Sequence, residues 1–208
     1  MPIDAATQRG LLEALISTIV SHTDELTDLD RAIGDADHGA NMNRGFTALR
    51  ANLDALSAVP LAQALGDAGR TLVMTVGGAS GPLYGSFFMA LGQQLAQSGP
   101  LTHARVVVAF DAAVAAVKAR GKSEIGQKTM LDVLVPVRDE LRAGGAGLLG
   151  RLCERAAAAA AATVPMVAQR GRASYLGERS AGHMDPGARS SHLLIEAACA
   201  SLRGVLDD

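Results

Sequence analysis

Apolar residues return along this chain at the spacing of an α-helix, and that constrains its fold more than any other feature. Leu12, Leu15, Ile16, Ile19 and Leu26 share one helical face and predict a long first helix. The same period predicts helices near 39–55, 61–75, 81–97, 103–119, 129–143, 148–169 and 187–205, eight in all. Short loops rich in Gly, Asp and Pro separate them. Only Arg105–Phe110 (RVVVAF) has the β-branched density of a strand; a lone strand has no partner, so it is read as part of a buried helix. The alanines of 156–162, flanked by Leu152, Val164 and Val167, suit a tightly packed helix better than a low-complexity tract. The expectation is an all-α fold, one domain over 1–208, without internal repeat, linker or charge block.

Composition excludes several classes. With 49% hydrophobic and 19% charged residues, the 208-residue chain is neither disordered nor a charged coiled coil. A net charge of −2 gives no electrostatic footprint for nucleic acid. No run of about 18 apolar residues exists, so no membrane-spanning helix is expected. The opening MPIDAATQRG lacks the basic-then-apolar order of a signal peptide, and a cytoplasmic chain is expected. Cys153 and Cys199 lie far apart in apolar, helix-like surroundings and are expected to be buried free thiols.

The loops carry the chemistry. Asp30, Asp35 and Asp37 fall within eight residues, with Gly34 and Gly39 letting the backbone bend around them. Carboxylates that close repel one another unless a hard cation lies between them, and all-oxygen ligands suit Mg²⁺ or Ca²⁺. An EF-hand register starting at Asp35 puts Ala40 where glycine is required and Phe46 where a bidentate Glu is required, so that motif fails. A dinucleotide fingerprint fails too, because no strand precedes Gly34. The plain alternative is a helix boundary capped by Asp35 or Asp37. The following helix, near Asn41, would in either case offer free N–H groups to a phosphate.

Thr75–Pro82 (TVGGASGP) joins two apolar helices with more glycine than a tight turn needs, and its N–H groups and the Ser80 hydroxyl suit an anion. Gly121-Lys122-Ser123 resembles the end of a P-loop, but residue 116 is alanine and no strand leads in. Gly121 is then a helix C-cap by default, though the loop 126–132 (GQKTMLD), with Lys128 and Asp132, could line the same pocket; on composition alone Met130 is a core residue. The stretch 171–187 lacks helical periodicity and is long enough for a functional lid. It ends in Asp185-Pro186, an N-cap followed by proline at the first helical position. Arg172 and Arg179 offer planar donors to phosphate; His183 is either a catalytic acid or a loop hydrogen-bonder.

Four blocks together, IGDADHGANMNRGF (33–46), TVGGASGPLYGSFF (75–88), GQKTMLDVLVPV (126–137) and ASYLGERSAGHMDPGARS (173–190), resemble the L-type subunit of dihydroxyacetone kinases and the matching domain of the single-chain ATP-dependent enzymes. The resemblance spans essentially the whole chain. It implies a barrel of eight antiparallel helices with ADP or ATP at one end and two Mg²⁺ ions on Asp30, Asp35 and Asp37. It implies nucleotide contacts from His38, Gly39, Ala40, Asn41, Ala79, Ser80, Gly121, Met130, Arg179, Asp185, Pro186 and Gly187, with Arg179 and His38 as the catalytic residues. It makes Met130 a wall of the adenine pocket.

The same resemblance implies phosphoryl transfer to a ketone held by a separate dihydroxyacetone-binding subunit. The retained ADP is then recharged by a phosphocarrier protein of the phosphoenolpyruvate system. A split ATP-dependent kinase for dihydroxyacetone or erythrulose, an ADP-state regulator of a transcription factor, and a helical metal-binding domain are the alternatives; a homodimer is one option for assembly. Two positions depart from the family pattern. Ala36 and Gln127 stand where glycine and aspartate are usual.

Overall fold

The structure, a computed structural model, describes residues 3–97 and 99–206, with side chains as far as 203. Ten α-helices and one 3₁₀ segment account for the order among these residues, and no strand occurs among them: α1 Ala5–Ser21, α2 Thr23–Ile33, α3 His38–Ala51, α4 Leu53–Ser57, α5 Leu61–Thr75, α6 Ser80–Leu95, α7 His103–Gly121, α8 Leu131–Ala143, α9 Leu148–Ala162, the 3₁₀ segment Arg172–Ser180, and α10 Pro186–Leu206. The starts follow from local chemistry. Asp4 Oδ1 accepts from Thr7 N (2.7 Å) ahead of α1, and Thr102 Oγ1 accepts from Arg105 N (3.3 Å) ahead of α7. Asp185 Oδ2 accepts from Ala188 N (2.7 Å) just before Pro186, the cap-then-proline start read from the sequence.

Three boundaries differ from the periodic reading. The long first helix is two, broken at His22, although Ile19 and Leu26 on either side remain fully buried. The helix expected over 39–55 ends at Ala51 and is followed by the short α4. The helix expected to run to 169 stops at Ala162, and Arg172–Ser180 forms a 3₁₀ turn inside the stretch expected to lack helix. The valines of 105–110 are helical, as expected.

The helices pack in a closed circuit: α1 on α10, α10 on α9, α9 on α8, α8 on α7, α7 on α6, α6 on α5, α5 on α3, and α3 back on α1. Their buried faces meet in one apolar core that includes Ile16, Ile19, Phe46, Leu72, Val114 and Leu193. Phe87 stands edge-on to Phe88 and Phe110, with centroids 5.6 and 5.5 Å apart. Small residues set the closest approach: a Cβ on Gly69 would lie 2.7 Å from the Gly85 carbonyl oxygen, so α5 and α6 touch backbone to backbone. The alanines of α9 serve likewise, with Ala156 and Ala160 fully buried.

Both cysteines are free thiols; Cys199 is buried, whereas Cys153 is only half-buried. No helix among the described residues is long and apolar enough to cross a membrane. At one end of the circuit lie the heads of α3, α6, α8 and α10, and there the loops converge.

Candidate nucleotide and metal site

A cleft of about 760 Å³ opens at these helix heads. Asp30, Asp35 and Asp37 lie on one side, each able to place a carboxylate oxygen within 4.8 Å of the others. The three are not equivalent. Asp30 is buried in the last turn of α2, and its Oδ2 accepts from Asp37 N (2.8 Å) and His38 N (3.2 Å), so it caps α3 from a distance. Asp37 occupies the N-cap position but makes no side-chain cap bond. The capping alternative therefore fails for Asp37: its carboxylate, like that of Asp35, is exposed at the cleft. Asp35 Oδ2 takes one ion pair, from Arg172 Nη2 at 3.1 Å. Ala36, between the two exposed acids, has φ 61°, the left-handed region that favours glycine.

The glycine loop forms the next wall. Gly77, Gly78, Ala79 and Ser80 line the cleft, and Gly78 has φ 63°. A Cβ on Gly77 would lie 2.6 Å from Asn41 Oδ1, and one on Gly81 would lie 2.3 Å from the Val76 carbonyl oxygen. Only glycine fits at these two positions, because the protein's own atoms fill the space a side chain would need. Arg44 donates to Asn41 Oδ1 and to Thr75 O (2.8 Å for the latter), which turns the Asn41 amide toward the glycine loop.

Behind this wall runs a buried polar chain. His38 Nδ1 lies 3.0 Å from Ser80 Oγ and Nε2 lies 2.9 Å from Ser190 Oγ. Ser190 Oγ is 2.7 Å from the Tyr84 hydroxyl, which also reaches Ser191 Oγ at 3.0 Å. Burial pushes His38 down to about 4, against Asp30 and Asp37, which raise it. The ring is therefore neutral at ordinary pH, donating at one nitrogen and accepting at the other. Burial likewise pushes Tyr84 up to about 12. Asp185, across the cleft, is pushed up to about 7, first by burial and then by Asp132 and Asp30.

The remaining sides come from distant segments. Gly121 ends α7 at the cleft; the left-handed cap is not Gly121 but Lys122, with φ 48°. Pro82, Leu83, Val117 and the buried Met130 make an apolar wall. Asp185, Pro186 and Gly187 close the far side, and residues 169–175 roof it. Of the residues expected at the site, Asp30, Asp35, Asp37, His38, Asn41, Ala79, Ser80, Gly121, Met130, Asp185, Pro186 and Gly187 line this one cleft. Gly39 is buried against α2 and Ala40 faces solvent. Arg179 is exposed and lies outside the lining, whereas Arg170 and Arg172 are inside it. His183 is exposed and contributes its carbonyl.

The loop 126–132, expected from the sequence to be able to line the same pocket, does so through Lys128, Thr129 and Met130. Asp132 accepts from Gly126 N (2.5 Å) and Thr129 N (2.7 Å) and so shapes the loop before α8. Gln127 Oε1 accepts from Glu124 N (3.0 Å) and Arg170 Nε (3.4 Å). Tyr84 and Ser190 were missed because the bonds joining Ser190 to His38 and to Tyr84 span 152 and 106 residues. For Lys128 the one available signal was a lysine set between Gly126 and Asp132 in a loop.

The donor set is all oxygen, clustered and partly preorganised, which fits a hard divalent cation. The cleft beside it combines a main-chain cradle with an apolar wall, which fits a polyphosphate and a flat base.

Comparison with known proteins agrees. The DAK2 domain model matches residues 32–200. The chain is 43% identical over 182 residues to the PEP-dependent dihydroxyacetone kinase, ADP-binding subunit DhaL, of Escherichia coli, covering 85% of this chain and 87% of that protein. It is 37% identical over 208 residues to a second such subunit, from the PEP-dependent dihydroxyacetone kinase 2 of Listeria innocua, covering 97% and 96%. Among solved structures, the dihydroxyacetone kinase of C. freundii in complex with AMP-PNP and Mg²⁺ superposes with a TM-score of 0.76 at 29% identity. The match covers 97% of this chain and 35% of that one, so the chain spans about a third of that kinase.

Proposed function

The chain belongs to the DAK2 domain family, and from that premise we propose that it is the nucleotide-binding subunit of a dihydroxyacetone kinase, a phosphotransferase with ADP as a retained cofactor. The observation that carries the proposal is the meeting of Asp30, Asp35 and Asp37 with the glycine loop in one cleft. The similarity over nearly the full length of ADP-binding subunits supports it. We read the whole chain, 1–208, as one nucleotide-binding domain in the cytoplasm, and the closed helix circuit as the eight-helix antiparallel barrel of the family.

In this reading Asp30, Asp35 and Asp37 hold two Mg²⁺ ions, which when bound supply charge neutralisation to the phosphate oxygens. Asp30 is fixed in advance by two backbone N–H groups, so its carboxylate needs no reorganisation on binding. Gly77, Gly78 and Ser80 receive the phosphates, Asn41 is turned toward them by Arg44, and Met130, Leu83 and Val117 take the base. His38, neutral and bonded at both ring nitrogens, orients Ser80 rather than carrying a proton to the ligand. Arg172 at the cleft mouth is placed to meet phosphate charge; Arg179, exposed outside the lining, acts in this reading once a partner is docked. The ketone is held by a separate dihydroxyacetone-binding subunit, and a phosphocarrier of the phosphoenolpyruvate system restores the donor.

The test is direct. Purified chain is desalted, denatured, and its released nucleotide quantified by chromatography. Near-stoichiometric ADP supports a retained cofactor. An empty protein that binds ATP reversibly with Mg²⁺ replaces this reading with a split ATP-dependent kinase.

A further inference from the structure

Lys128 is one of three lysines in the chain and the only one of them that is buried, at 1% exposure. It sits in the loop before α8 with φ 60°, a backbone angle that L-residues adopt only under constraint. Its ammonium faces main-chain oxygens. Nζ donates to Met166 O (3.0 Å), Ser180 O (2.7 Å) and His183 O (2.6 Å), with Val164 O at 3.5 Å. Three N–H bonds meet three close carbonyls, so no proton is left over for a ligand.

The carbonyls belong to two arms of one strap, the segment from Thr163 to Asp185. Residues 164 and 166 lie on the arm leaving α9, and 180 and 183 on the arm entering α10. The other bonds between the arms are Gly182 N to Val164 O (2.8 Å), Ala168 N to Ser180 Oγ (2.8 Å) and, at the base, Asp185 N to Thr163 Oγ1 (3.1 Å). The strap's tip, residues 169–175, roofs the cleft and sends Arg172 to Asp35, while Ala173 in the tip and Ala168 just before it pack on Ile33. The ammonium thus sits at the base of the strap, where a small displacement is carried to the tip.

We propose that Lys128 is a positioning residue for the nucleotide site: an internal ammonium that clasps both arms of the 163–185 strap and so fixes its tip and Arg172 over Asp30, Asp35 and Asp37. Its role rests on the nucleotide reading of the cleft. The chemistry is that of a monovalent cation in a carbonyl cage, which an apolar side chain of the same length cannot reproduce.

The experiment uses the full chain. Calorimetry of the nucleotide-free wild type with ADP and Mg²⁺ comes first; no binding there refutes the nucleotide reading and not the clasp. Given binding, Lys128→Met weakens it on the order of ten- to hundredfold, as expected for a displaced wall. It also speeds tryptic cleavage at Arg170 and Arg172, with helical circular dichroism retained. In Lys128→Ala, methylammonium restores affinity whereas tetramethylammonium, too large for the cage, does not. Affinity within about twofold of wild type in both variants overturns the proposal, as does rescue by both ions alike. Should the variants fail to fold, ¹⁵N-lysine spectra of the wild type decide. The clasp requires one slowly exchanging ε-ammonium signal, distinct from Lys118 and Lys122, that shifts when ADP and Mg²⁺ are added. Three fast-exchanging lysines, or a protected signal indifferent to nucleotide, overturns it.

Discussion

Gly39 ties the acidic loop to the fold through contact between helices, and replacing it with alanine puts two effects in competition. A Cβ there would stand 2.0 Å from Thr23 O, 2.3 Å from Thr27 Oγ1 and 2.7 Å from Thr27 N. Two of these atoms are backbone, so no rotamer change relieves the clash. To reach ordinary contact at 3.4 Å, α3 must retreat from α2 by about 1.4 Å. Against this, alanine in place of glycine inside a helix gains about 1 kcal/mol.

Overpacking of that kind costs about 1–3 kcal/mol. The same retreat stretches the bonds from Asp37 N and His38 N to Asp30 Oδ2, each a charged hydrogen bond contributing about 1.5 kcal/mol or more. The clash wins, and Gly39→Ala should lose roughly 2–4 kcal/mol net. Gly10, in the middle of α1 with nothing within 4 Å of where a Cβ would stand, is the control. Gly10→Ala has only the propensity gain and should stabilise by about 0.5–1 kcal/mol. Urea unfolding of both variants in EDTA measures the pair. A Gly39→Ala chain as stable as wild type would refute the close α2–α3 contact on which the geometry of Asp30 depends.

Three more outcomes follow from the same geometry. Asp185 is pushed up to about 7 by burial, so between about 4 and 7 the folded chain holds a proton that the unfolded chain releases. Its stabilising contribution is complete at the acid end and is lost as pH rises through 7. Asp185→Asn should therefore flatten that part of the metal-free stability–pH profile, by up to about 4 kcal/mol; an equal loss at pH 5 and pH 8 would show that only the cap to Ala188 matters. Ala36→Gly relieves a left-handed alanine and should stabilise by about 0.5 kcal/mol, measured by thermal melting, with destabilisation as the contrary result. Ser190→Ala leaves His38 Nε2 without its buried partner, while the Tyr84 hydroxyl keeps Ser191 Oγ, and should cost about 1–3 kcal/mol by chemical denaturation. A neutral effect there would break the polar chain behind Ser80.

The helices were legible because packing writes its period into the apolar residues, and Leu12, Leu15, Ile16 and Ile19 are all buried as that period requires. The break at His22 was not. The periodicity runs through it to Leu26, and His22 N simply shifts its bond between Thr18 O and Ile19 O, which no residue type signals. The acidic cluster was legible because three carboxylates in eight residues conflict unless something lies between them. That Asp30 caps α3 was hidden, since its partners are seven and eight residues away.

The arginines show the limit most clearly. Arg172 and Arg179 look alike in sequence, yet Arg172 lines the cleft and pairs with Asp35 whereas Arg179 is exposed outside the lining. Ala36 is the converse case. The family's usual glycine there becomes intelligible once the position shows a positive φ.

The central claim is that Asp30, Asp35 and Asp37 hold the metal that holds the nucleotide. Calorimetric titration of ADP into the nucleotide-free chain, with Mg²⁺ and then with EDTA, for wild type and Asp35→Asn, tests it most directly. The account predicts tight, Mg²⁺-dependent binding by the wild type, lost in Asp35→Asn while the helical circular dichroism is unchanged. Binding of equal strength in EDTA, or undiminished binding by Asp35→Asn, would contradict it.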